Sequence, residues 1–377
     1  MSADRIDRRT RNRTLLQRQL LLERSNLSVV EAIGHLIGLQ SQAPTPPYYG
    51  LWSRLADFAP DDLSQLLVNR QVSRLVMMRS TVHLMTSPDA LTLRPLLQPM
   101  LDRAFASSPF NRALVTAGVD REELTTAGRH VVEESRCTAA ILGAELGRRW
   151  PDVEPSALAQ AIRTWVPLVQ LPPRGLWGRS GQTTYDTAEH WLGVAAAEQP
   201  AEPLVTRLGR LVQRYLSAFG PASVADVQKW SGLTRLREVA DELPLRRYLD
   251  ADGRELLDSE DGELIDGQTS APVRLLAEFD NILLSHAERS HVFDDRHRLQ
   301  IMSQNGLISS TVLVDGFVAG TWRIEKGKPG QTLRLAIQLF SRVTAAQRRE
   351  TIAEGARLGA FVDPSAGGVE VTFTAQP

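Results

Sequence analysis

One pattern occurs three times in the first part of the chain: two short helices joined by a turn, followed by a β-rich stretch. In its first occurrence Ser28 and Glu31 form a capping box that starts a helix. The prolines from Pro44 onward end that helix, because the residue before a proline is disfavoured in the α-helical conformation. A helix that begins near Pro60 and a β-rich stretch over residues 74–86 complete the unit.

The second and third occurrences keep the same order. Thr138 and Ser156 start the two helices of the second unit, and Ser223 and Thr234 start those of the third. A two-residue hairpin turn at residues 252–253 follows the third pair of helices. Helix, turn, helix and wing is the plan of a winged-helix DNA-binding module. A single copy of this pattern has many false positives, whereas three copies in series predict tandem modules.

From about residue 271 strand-like segments replace the helical pattern. Asp315-Gly316 is a strong two-residue hairpin signal between two of these segments. One predicted helix over residues 345–358 and one predicted strand over residues 369–373 close the chain. The other strand-like segments are residues 273–279, 299–302, 310–314, 317–324 and 332–339. Together they predict a small β-barrel-like domain.

The predicted fold class is therefore α+β, in a chain of 377 residues that is long enough for about two to four compact domains. Three tandem units suit a monomer that surrounds double-stranded DNA better than a dimer that binds a palindrome. The predicted domains are winged helix 1 over residues 1–115, winged helix 2 over residues 116–200, winged helix 3 over residues 201–270 and the β-barrel-like domain over residues 271–377.

Charge and residue usage exclude several classes of protein. A net charge of -1 argues against a histone-like protein that binds DNA by electrostatics alone. The single cysteine, Cys137, excludes internal disulfides and cysteine-built zinc clusters. Residues 1–13 contain no apolar signal-peptide core, and no apolar run approaches the roughly 20 residues of a membrane span. We therefore expect a soluble cytoplasmic protein.

Lysine is nearly absent, which limits the available chemistry. It occurs only at Lys229, Lys326 and Lys328, so arginine supplies almost all of the 43 basic residues. Arginine suits phosphate contacts because its planar fork donates two parallel hydrogen bonds, although a codon bias explains the usage equally well. A Schiff-base mechanism centred in residues 1–228, which contain no lysine, is disfavoured.

Three stretches of the sequence form an ordered set of motifs. The first is residues 38–54, GLQSQAPTPPYYGLWSR, and the second is residues 79–86, RSTVHLMT. The third, residues 275–290, contains two Leu-Leu pairs, Phe-Asp and Arg-Ser. Together they resemble the AlkZ/YcaQ-like family of bacterial winged-helix DNA glycosylases over nearly the whole chain. The resemblance implies three tandem winged helices and a C-terminal β-barrel around a DNA-binding concavity.

The resemblance also implies an activity, the hydrolysis of the N-glycosidic bond of N7-alkylated purines, including bulky adducts and interstrand crosslinks. The two glutamines of the family correspond to Gln40 and Gln42, which are the predicted catalytic residues. This Gln-x-Gln form is closer to the AlkZ branch than to the YcaQ branch, where we expect an acid at the second position. The implied role is repair or self-resistance, with no metal and no cofactor.

The chemistry of the substrate explains why two amides can suffice. An N7-alkylguanine is already cationic, so the base leaves without prior protonation. What remains is to hold water near C1′ and to stabilise oxocarbenium-like charge, and amide oxygens can do both. Gln40 would share the helical stripe of Ile33 and Leu36, and an extended turn at residues 41–43 would let Gln42 face the same way. The alternative is a helix end satisfied by amide hydrogen bonds.

Five further residues are predicted to contact DNA. Arg79, Thr81 and His83 belong to the second stretch, and Asp280 and Arg289 belong to the third. A hydrogen-bonded structural histidine explains His83 equally well, and a solvated turn equally explains the two residues of the third stretch.

Two other features have competing explanations. Trp177 lies in a glycine-rich tip, residues 172–178, and either probes a groove of the DNA or belongs to the core. A group of histidines and acids suggests metal ligands, but its spacing fits no specific site and a solvated loop is the better interpretation. The members of this group are His286, His291, His297, Asp294 and Asp295.

The main functional alternative is a non-enzymatic winged-helix regulator, because helix-turn-helix patterns and a near-neutral charge suit both classes. The lack of a separate effector domain favours the enzyme. The shortage of lysine disfavours a third reading, a bifunctional glycosylase/lyase. Because bulky adducts resist flipping out of the helix, we expect an open cleft rather than a deep base pocket.

Overall fold

The computed structural model describes residues 4–195, 202–325 and 332–374 and confirms a mixed α+β architecture. The helices are Arg8–Arg18 (α1), Val29–His35 (α2), Pro46–Trp52 (α3), Pro60–Val68 (α4), Ser87–Ala106 (α5), Pro109–Thr116 (α6), Arg121–Ser135 (α7), Ala139–Gly147 (α8), Pro155–Trp165 (α9), Ala188–Leu192 (α10), Leu204–Phe219 (α11), Val224–Ser231 (α12), Leu236–Asp241 (α13), Asn281–Leu284 (α14), Arg298–Ile301 (α15) and Ala345–Val362 (α16). The strands are Asp4–Arg5 (β1), Leu39–Gln40 (β2), Val72–Val76 (β3), Val82–Thr86 (β4), Leu168–Gln170 (β5), Tyr185–Thr187 (β6), Leu245–Leu249 (β7), Glu255–Ser259 (β8), Arg274–Leu276 (β9), Thr311–Val314 (β10), Phe317–Glu325 (β11), Leu333–Leu339 (β12) and Val369–Thr374 (β13). No helix in these ranges is both long enough and apolar enough to cross a membrane.

Several helices begin where the sequence places a capping side chain. The capping boxes of Ser28 with Glu31 and of Ser223 with Asp226 are both formed, and Thr138 caps α8. Each cap satisfies backbone N–H groups that the first helical turn leaves without a partner. These local contacts set where the helices of the predicted units start.

The strand pairs that follow the helices combine into larger sheets. The pair β3–β4 and the pair β5–β6 are joined where Leu75 pairs with Val169, which gives one sheet of order β2-β4-β3-β5-β6. The pair β7–β8 gains β1 as a parallel neighbour and forms a three-stranded sheet. Each predicted unit therefore has its helices followed by an antiparallel strand pair, and the first two units share a sheet.

The C-terminal sheet is open, so the described residues do not form the expected barrel. Its order is β13-β12-β11-β10-β9, and the end strands β9 and β13 are not paired with each other. A barrel requires the two edges of its sheet to meet. Here α16 connects β12 to β13, which makes that pair parallel, and the helix packs against β9, β12 and β13.

Two segments differ from the expectation based on sequence. Residues 299–302, expected as a strand, lie largely in α15, because a 3₁₀ turn at Asp295–His297 leads the chain directly into a helical turn. The helix α2 ends at His35 rather than at the prolines. Ile37 and Gly38 have φ values of 52° and 87°, which an α-helix does not allow, and the chain turns there into β2.

Two large hydrophobic cores extend across the predicted domain limits. One contains Leu16 of the first predicted domain, Tyr215 of the third and Leu313 of the C-terminal domain. The other contains Ile33 beside Ile337 of the C-terminal sheet. The first unit is therefore buried against both the third unit and the C-terminal sheet, and this packing holds the loops that carry the candidate site.

Candidate active site

Gln40 lies on the short strand β2, which pairs antiparallel with β4 so that Gln40 stands opposite His83. Only 7% of the residue is exposed. The chain can turn into this strand because Gly38 has a positive φ, and a Cβ at Gly38 would clash with the sulfur of Met85 and the carbonyl oxygen of Leu84. The expectation of a helical Gln40 is therefore wrong.

The amide of Gln40 is oriented by Arg79. Arg79 Nη2 donates to Gln40 Oε1 at 2.9 Å, and since a guanidinium only donates, this contact identifies the oxygen end of the amide. Arg79 Nη1 donates to the carbonyl oxygen of Trp230 at 2.9 Å. Trp230 lies in the last turn of α12, where the negative end of the helix dipole favours a cation. One side chain thus connects a predicted catalytic residue to the third unit.

His83 supports Arg79 from the neighbouring strand. Its Nδ1 lies 3.0 Å from the carbonyl oxygen of Thr81, which only accepts, so Nδ1 carries the hydrogen and Nε2 keeps its lone pair. That lone pair lies 3.4 Å from Arg79 Nη2. Burial, aided by the charge of Arg79, lowers the pKa of His83 to about 3. His83 is therefore neutral at physiological pH, and with 2% of the residue exposed it faces the protein interior.

Arg79 keeps its charge without a carboxylate. It forms no ion pair within the described ranges, and its acceptors are an amide oxygen, a carbonyl oxygen and an imidazole nitrogen. Burial lowers the pKa of Arg79 to about 10, so the guanidinium stays protonated at neutral pH. The φ of Arg79 is 55°, and the 3₁₀ turn Met78–Ser80 that contains it reverses the chain between β3 and β4. This left-handed residue costs conformational energy that the surrounding contacts must offset.

Gln42 is exposed and lies just beyond the same pair of strands. The N–H of Ser41 donates to the carbonyl oxygen of Val82 at 2.7 Å, which extends the pairing past β2. The N–H of Val82 in turn donates to Gln42 Oε1 at 3.2 Å. The pairing thus continues to Ser41, and the chain then bends at Gln42 and Ala43. The amide oxygen of the buried Gln40 accepts from Arg79, and that of the exposed Gln42 accepts from Val82, so both glutamines are held by residues 79–82.

Ser41, between the two glutamines, is held by a buried arginine that was not predicted from the sequence. Arg74 donates from Nε to Ser41 Oγ and from Nη2 to the carbonyl oxygen of Ser41, each at 2.9 Å. Burial lowers the pKa of Arg74 to about 10. Gly175, with φ +103°, packs so closely that a Cβ there would lie 3.0 Å from Arg74 Cδ. The available signal was a charged residue inside the strand-like stretch that became β3.

Comparisons with known proteins assign the chain to a family. A family model described as DNA glycosylase AlkZ-like matches residues 33–361. The chain belongs to the AlkZ-like DNA glycosylase family. A Streptomyces sahachiroi protein named interstrand DNA cross-link repair glycosylase is 27% identical over 337 residues, which are 82% of this chain and 85% of that protein. The structure of Streptomyces sahachiroi DNA glycosylase AlkZ has the same fold, with a TM-score of 0.80 at 20% identity over 98% of this chain and 100% of that one.

In this AlkZ-like chain the third sequence stretch supports the glutamines through contacts inside the protein. Both Nη atoms of Arg54 donate to the carboxylate of Asp280 at 2.8 Å, and 0% and 1% of the two side chains are exposed. Asn281 Nδ2 donates to the carbonyl oxygen of Gly38 at 3.0 Å, in the turn that precedes Gln40. Asp280, expected to contact DNA, therefore has both carboxylate oxygens engaged by a buried partner.

The other two predicted DNA contacts are half-buried. Thr81 Oγ1 donates to the carbonyl oxygen of Met78 at 3.1 Å within the turn that carries Arg79. Arg289 Nη1 donates to the carbonyl oxygen of Leu283 at 3.0 Å. Arg79, Thr81 and His83 thus lie beside the glutamines of the AlkZ-like chain. Arg289 is instead hydrogen-bonded within the C-terminal part of the chain, to Leu283.

His286 and His291 are buried, so the interpretation as a solvated loop is wrong for these two residues. They are 0% and 1% exposed, and their rings lie 4.7 Å apart in an edge-to-face contact against the first hydrophobic core. Asp294 and Asp295 are exposed as expected, and His297 is half-buried. Within the described part of the AlkZ-like chain, no group of three or more His, Cys, Asp or Glu residues is placed to hold a metal ion.

Proposed function

We propose that this chain is a monofunctional DNA glycosylase that hydrolyses the N-glycosidic bond of N7-alkylated purines, including bulky adducts and interstrand crosslinks. The observation that carries the proposal is the glutamine segment, residues 40–42, whose amide oxygens are both oriented by N–H donors and whose second amide is exposed. The name of the Streptomyces sahachiroi relative, an interstrand DNA cross-link repair glycosylase, supports crosslinks as substrates. Such an enzyme would serve DNA repair or self-resistance.

In the proposed reaction the purine needs no acid. Alkylation at N7 makes the base cationic, so the C1′–N9 bond breaks with its electron pair passing to the base, which leaves neutral. Each glutamine oxygen accepts one hydrogen bond from the protein and retains a second lone pair. The two glutamines jointly hold the attacking water and stabilise charge on the sugar. The water oxygen then bonds to C1′, and its proton passes to solvent.

We propose that the surface around the glutamine segment binds the DNA backbone near the lesion. Arg79 and Thr81 are the residues that DNA would approach there, and Arg289 would contact it farther along. His83 and Asp280 lie inside the protein and act through Arg79 and Arg54, which they orient.

The proposed DNA-binding form is a monomer in which three winged-helix units, residues 1–115, 116–200 and 201–270, surround the duplex. The C-terminal domain, residues 271–377, completes the concavity. Bulky adducts resist flipping, so the proposed site is an open cleft that acts on the nucleotide within the helix. The exposure of Gln42 at the surface supports this arrangement.

The test is incubation of the protein with duplex DNA that contains N7-methylguanine. We expect free N7-methylguanine and abasic sites, and we expect the Gln40→Ala/Gln42→Ala variant to release base at least about 100-fold more slowly. Borohydride should trap no covalent complex, since a lyase step needs an amine nucleophile and residues 1–228, which contain the glutamines, have no lysine. DNA binding without any base release would favour the regulator, and wild-type release by the double variant would contradict the role of the glutamines.

A further inference from the structure

A cavity of about 340 Å³ opens immediately after the glutamine segment. One wall follows Pro44 and Thr45 into α3, and another wall is the end of the glycine-rich tip, which includes Trp177 and Gly178. Val362, the last residue of α16, closes a third side. The volume lies within the range of roughly 300–1,000 Å³ that small-molecule sites occupy in proteins.

Three aromatic residues, Tyr48, Tyr49 and Trp177, line part of this cavity. The ring of Trp177 lies 5.0 Å from that of Tyr48 and 5.9 Å from that of Tyr49, and the second contact is edge-to-face. Trp177 and Tyr49 are only half-buried. Trp177 is thus partly a core residue, as one sequence interpretation held, and it also presents ring surface to the cavity. Such surfaces bind flat apolar groups by stacking or by edge-to-face contact.

The walls are held in place without a ligand. The N–H of Trp177 donates to Ser64 Oγ at 3.2 Å, and Tyr48 Oη donates to the carbonyl oxygen of Gly175 at 2.7 Å. These bonds fix the glycine-rich tip against α3 and α4. A cavity that is already formed loses little conformational entropy when a ligand enters, so its contacts contribute more fully to affinity.

The cavity is close to where the reaction would occur. Pro44 follows Gln42 by two residues, so their Cα atoms are at most about 7 Å apart. In a purine, N7 and N9 flank the same ring carbon, and a substituent on N7 therefore begins close to C1′. Arg179 is exposed at the rim and adds a positive charge that suits a ligand attached to DNA.

We propose that this aromatic cavity receives the flat apolar substituent that a bulky adduct carries on N7, while the glutamines act at C1′. The proposal rests on the proposed glycosylase function. It assigns specificity for the adduct to residues of α3, the glycine-rich tip and α16, separate from the residues that act on the sugar.

The test compares two substrates in single-turnover release assays: duplex DNA with N7-methylguanine and duplex DNA with an N7-guanine adduct that bears a fused aromatic ring system. Thr45→Trp and Val362→Trp fill the cavity from different elements. In both variants we expect the release rate of the aromatic adduct to fall at least tenfold relative to that of N7-methylguanine. The matched control is Thr126→Trp, at an exposed position of α7, which should leave both rates at the wild-type level.

The Val362→Trp variant decides the test, because the side chains of residues 40–42 are hydrogen-bonded by Arg74, Arg79 and Val82, none of which lies in α16. If it folds and the ratio of the two rates is unchanged, or if both rates fall equally, the proposal is overturned.

If the wild-type protein releases neither base, the proposed glycosylase function is wrong, and this result leaves the cavity to be tested by binding. Binding of uncleavable 2′-fluoro analogues then tests the cavity alone. A preference of at least tenfold for the aromatic adduct, lost in both filled variants, supports the cavity; equal affinities overturn it.

Discussion

Buried and half-buried arginines lie on two sides of the glutamine segment, and their charges are compensated in different ways. On the side of the C-terminal part of the chain, Arg54 forms a bidentate ion pair with Asp280. On the side of the β3–β4 hairpin, Arg74 and Arg79 donate to neutral acceptors, and neither forms an ion pair within the described ranges. A carboxylate cancels the charge of its partner, whereas a guanidinium with neutral acceptors keeps its field.

This difference in charge compensation indicates that Arg54 stabilises the fold, whereas Arg74 and Arg79 orient the glutamine segment. The paired Arg54 joins α3 to the C-terminal part, and the loss of its partner should cost stability. Arg74 and Arg79 leave positive charge beside the exposed Gln42, where DNA phosphates would supply the opposite charge. Each of them has a neutral partner in the glutamine segment, Ser41 for Arg74 and Gln40 for Arg79, so the orientation of that segment depends on them.

The largest expected effect is the loss of stability in Asp280→Ala. Removal of the carboxylate leaves Arg54 charged, buried and unpaired, which should lower the free energy of unfolding by about 3–5 kcal/mol. Chemical denaturation measures this. The control Asp261→Ala, at an exposed aspartate, should change it by at most about 0.5 kcal/mol. A loss of unfolding free energy no greater than in the control would show that the Arg54–Asp280 ion pair does not stabilise the fold.

Arg79→Met should affect activity more than stability. Gln40 loses the donor that orients its amide, and release of N7-methylguanine should slow by about 100-fold. The free energy of unfolding should fall by no more than about 2 kcal/mol, because no buried charge is left unpaired. Base-release kinetics and denaturation check both parts. A stability loss equal to that of Asp280→Ala, with normal release by the folded protein, would show that Arg79 has the same structural role as Arg54.

A smaller effect is expected from Arg74→Lys. A single ammonium cannot reproduce the planar fork that binds both Ser41 Oγ and the Ser41 carbonyl oxygen. Displacement of the glutamine segment should lower kcat by about tenfold with KM nearly unchanged. Ser41→Ala retains the carbonyl contact and should lose less. A rise in KM at constant kcat would instead assign Arg74 to DNA binding.

The smallest effect concerns the pH dependence of stability and His83. Its folded pKa is about 3 against an ordinary value of 6.5, so below about pH 6.5 the unfolded chain binds a proton that the folded protein does not. Stability therefore falls as the pH decreases through this range. In His83→Gln the slope should be smaller by up to about 1.4 kcal/mol per pH unit. Denaturation at pH 6.5 and at pH 5.5 measures both slopes, and equal slopes would contradict the buried neutral state.

Features with local causes were predictable from the sequence. The capping box of Ser28 with Glu31 and the start of α4 at Pro60 follow from groups within one helical turn. The hairpin turn at Asp315-Gly316 formed with both residues at positive φ. The sequence analysis places the end of α2 at the prolines, whereas the helix ends at His35 and Gly38 signals the turn that follows it.

The sequence by itself determined several helix starts, the hairpin turn at residues 315–316, the family and which two glutamines are the catalytic candidates, since each depends on short contiguous stretches. Only the tertiary structure decided what orients those glutamines. Arg79 is separated by 39 residues from Gln40 and by 151 from Trp230, and Arg74 by 33 from Ser41. Such contacts form only when the strands align and the third unit packs against the first, and the same packing removes the water that would otherwise set the pKa of His83.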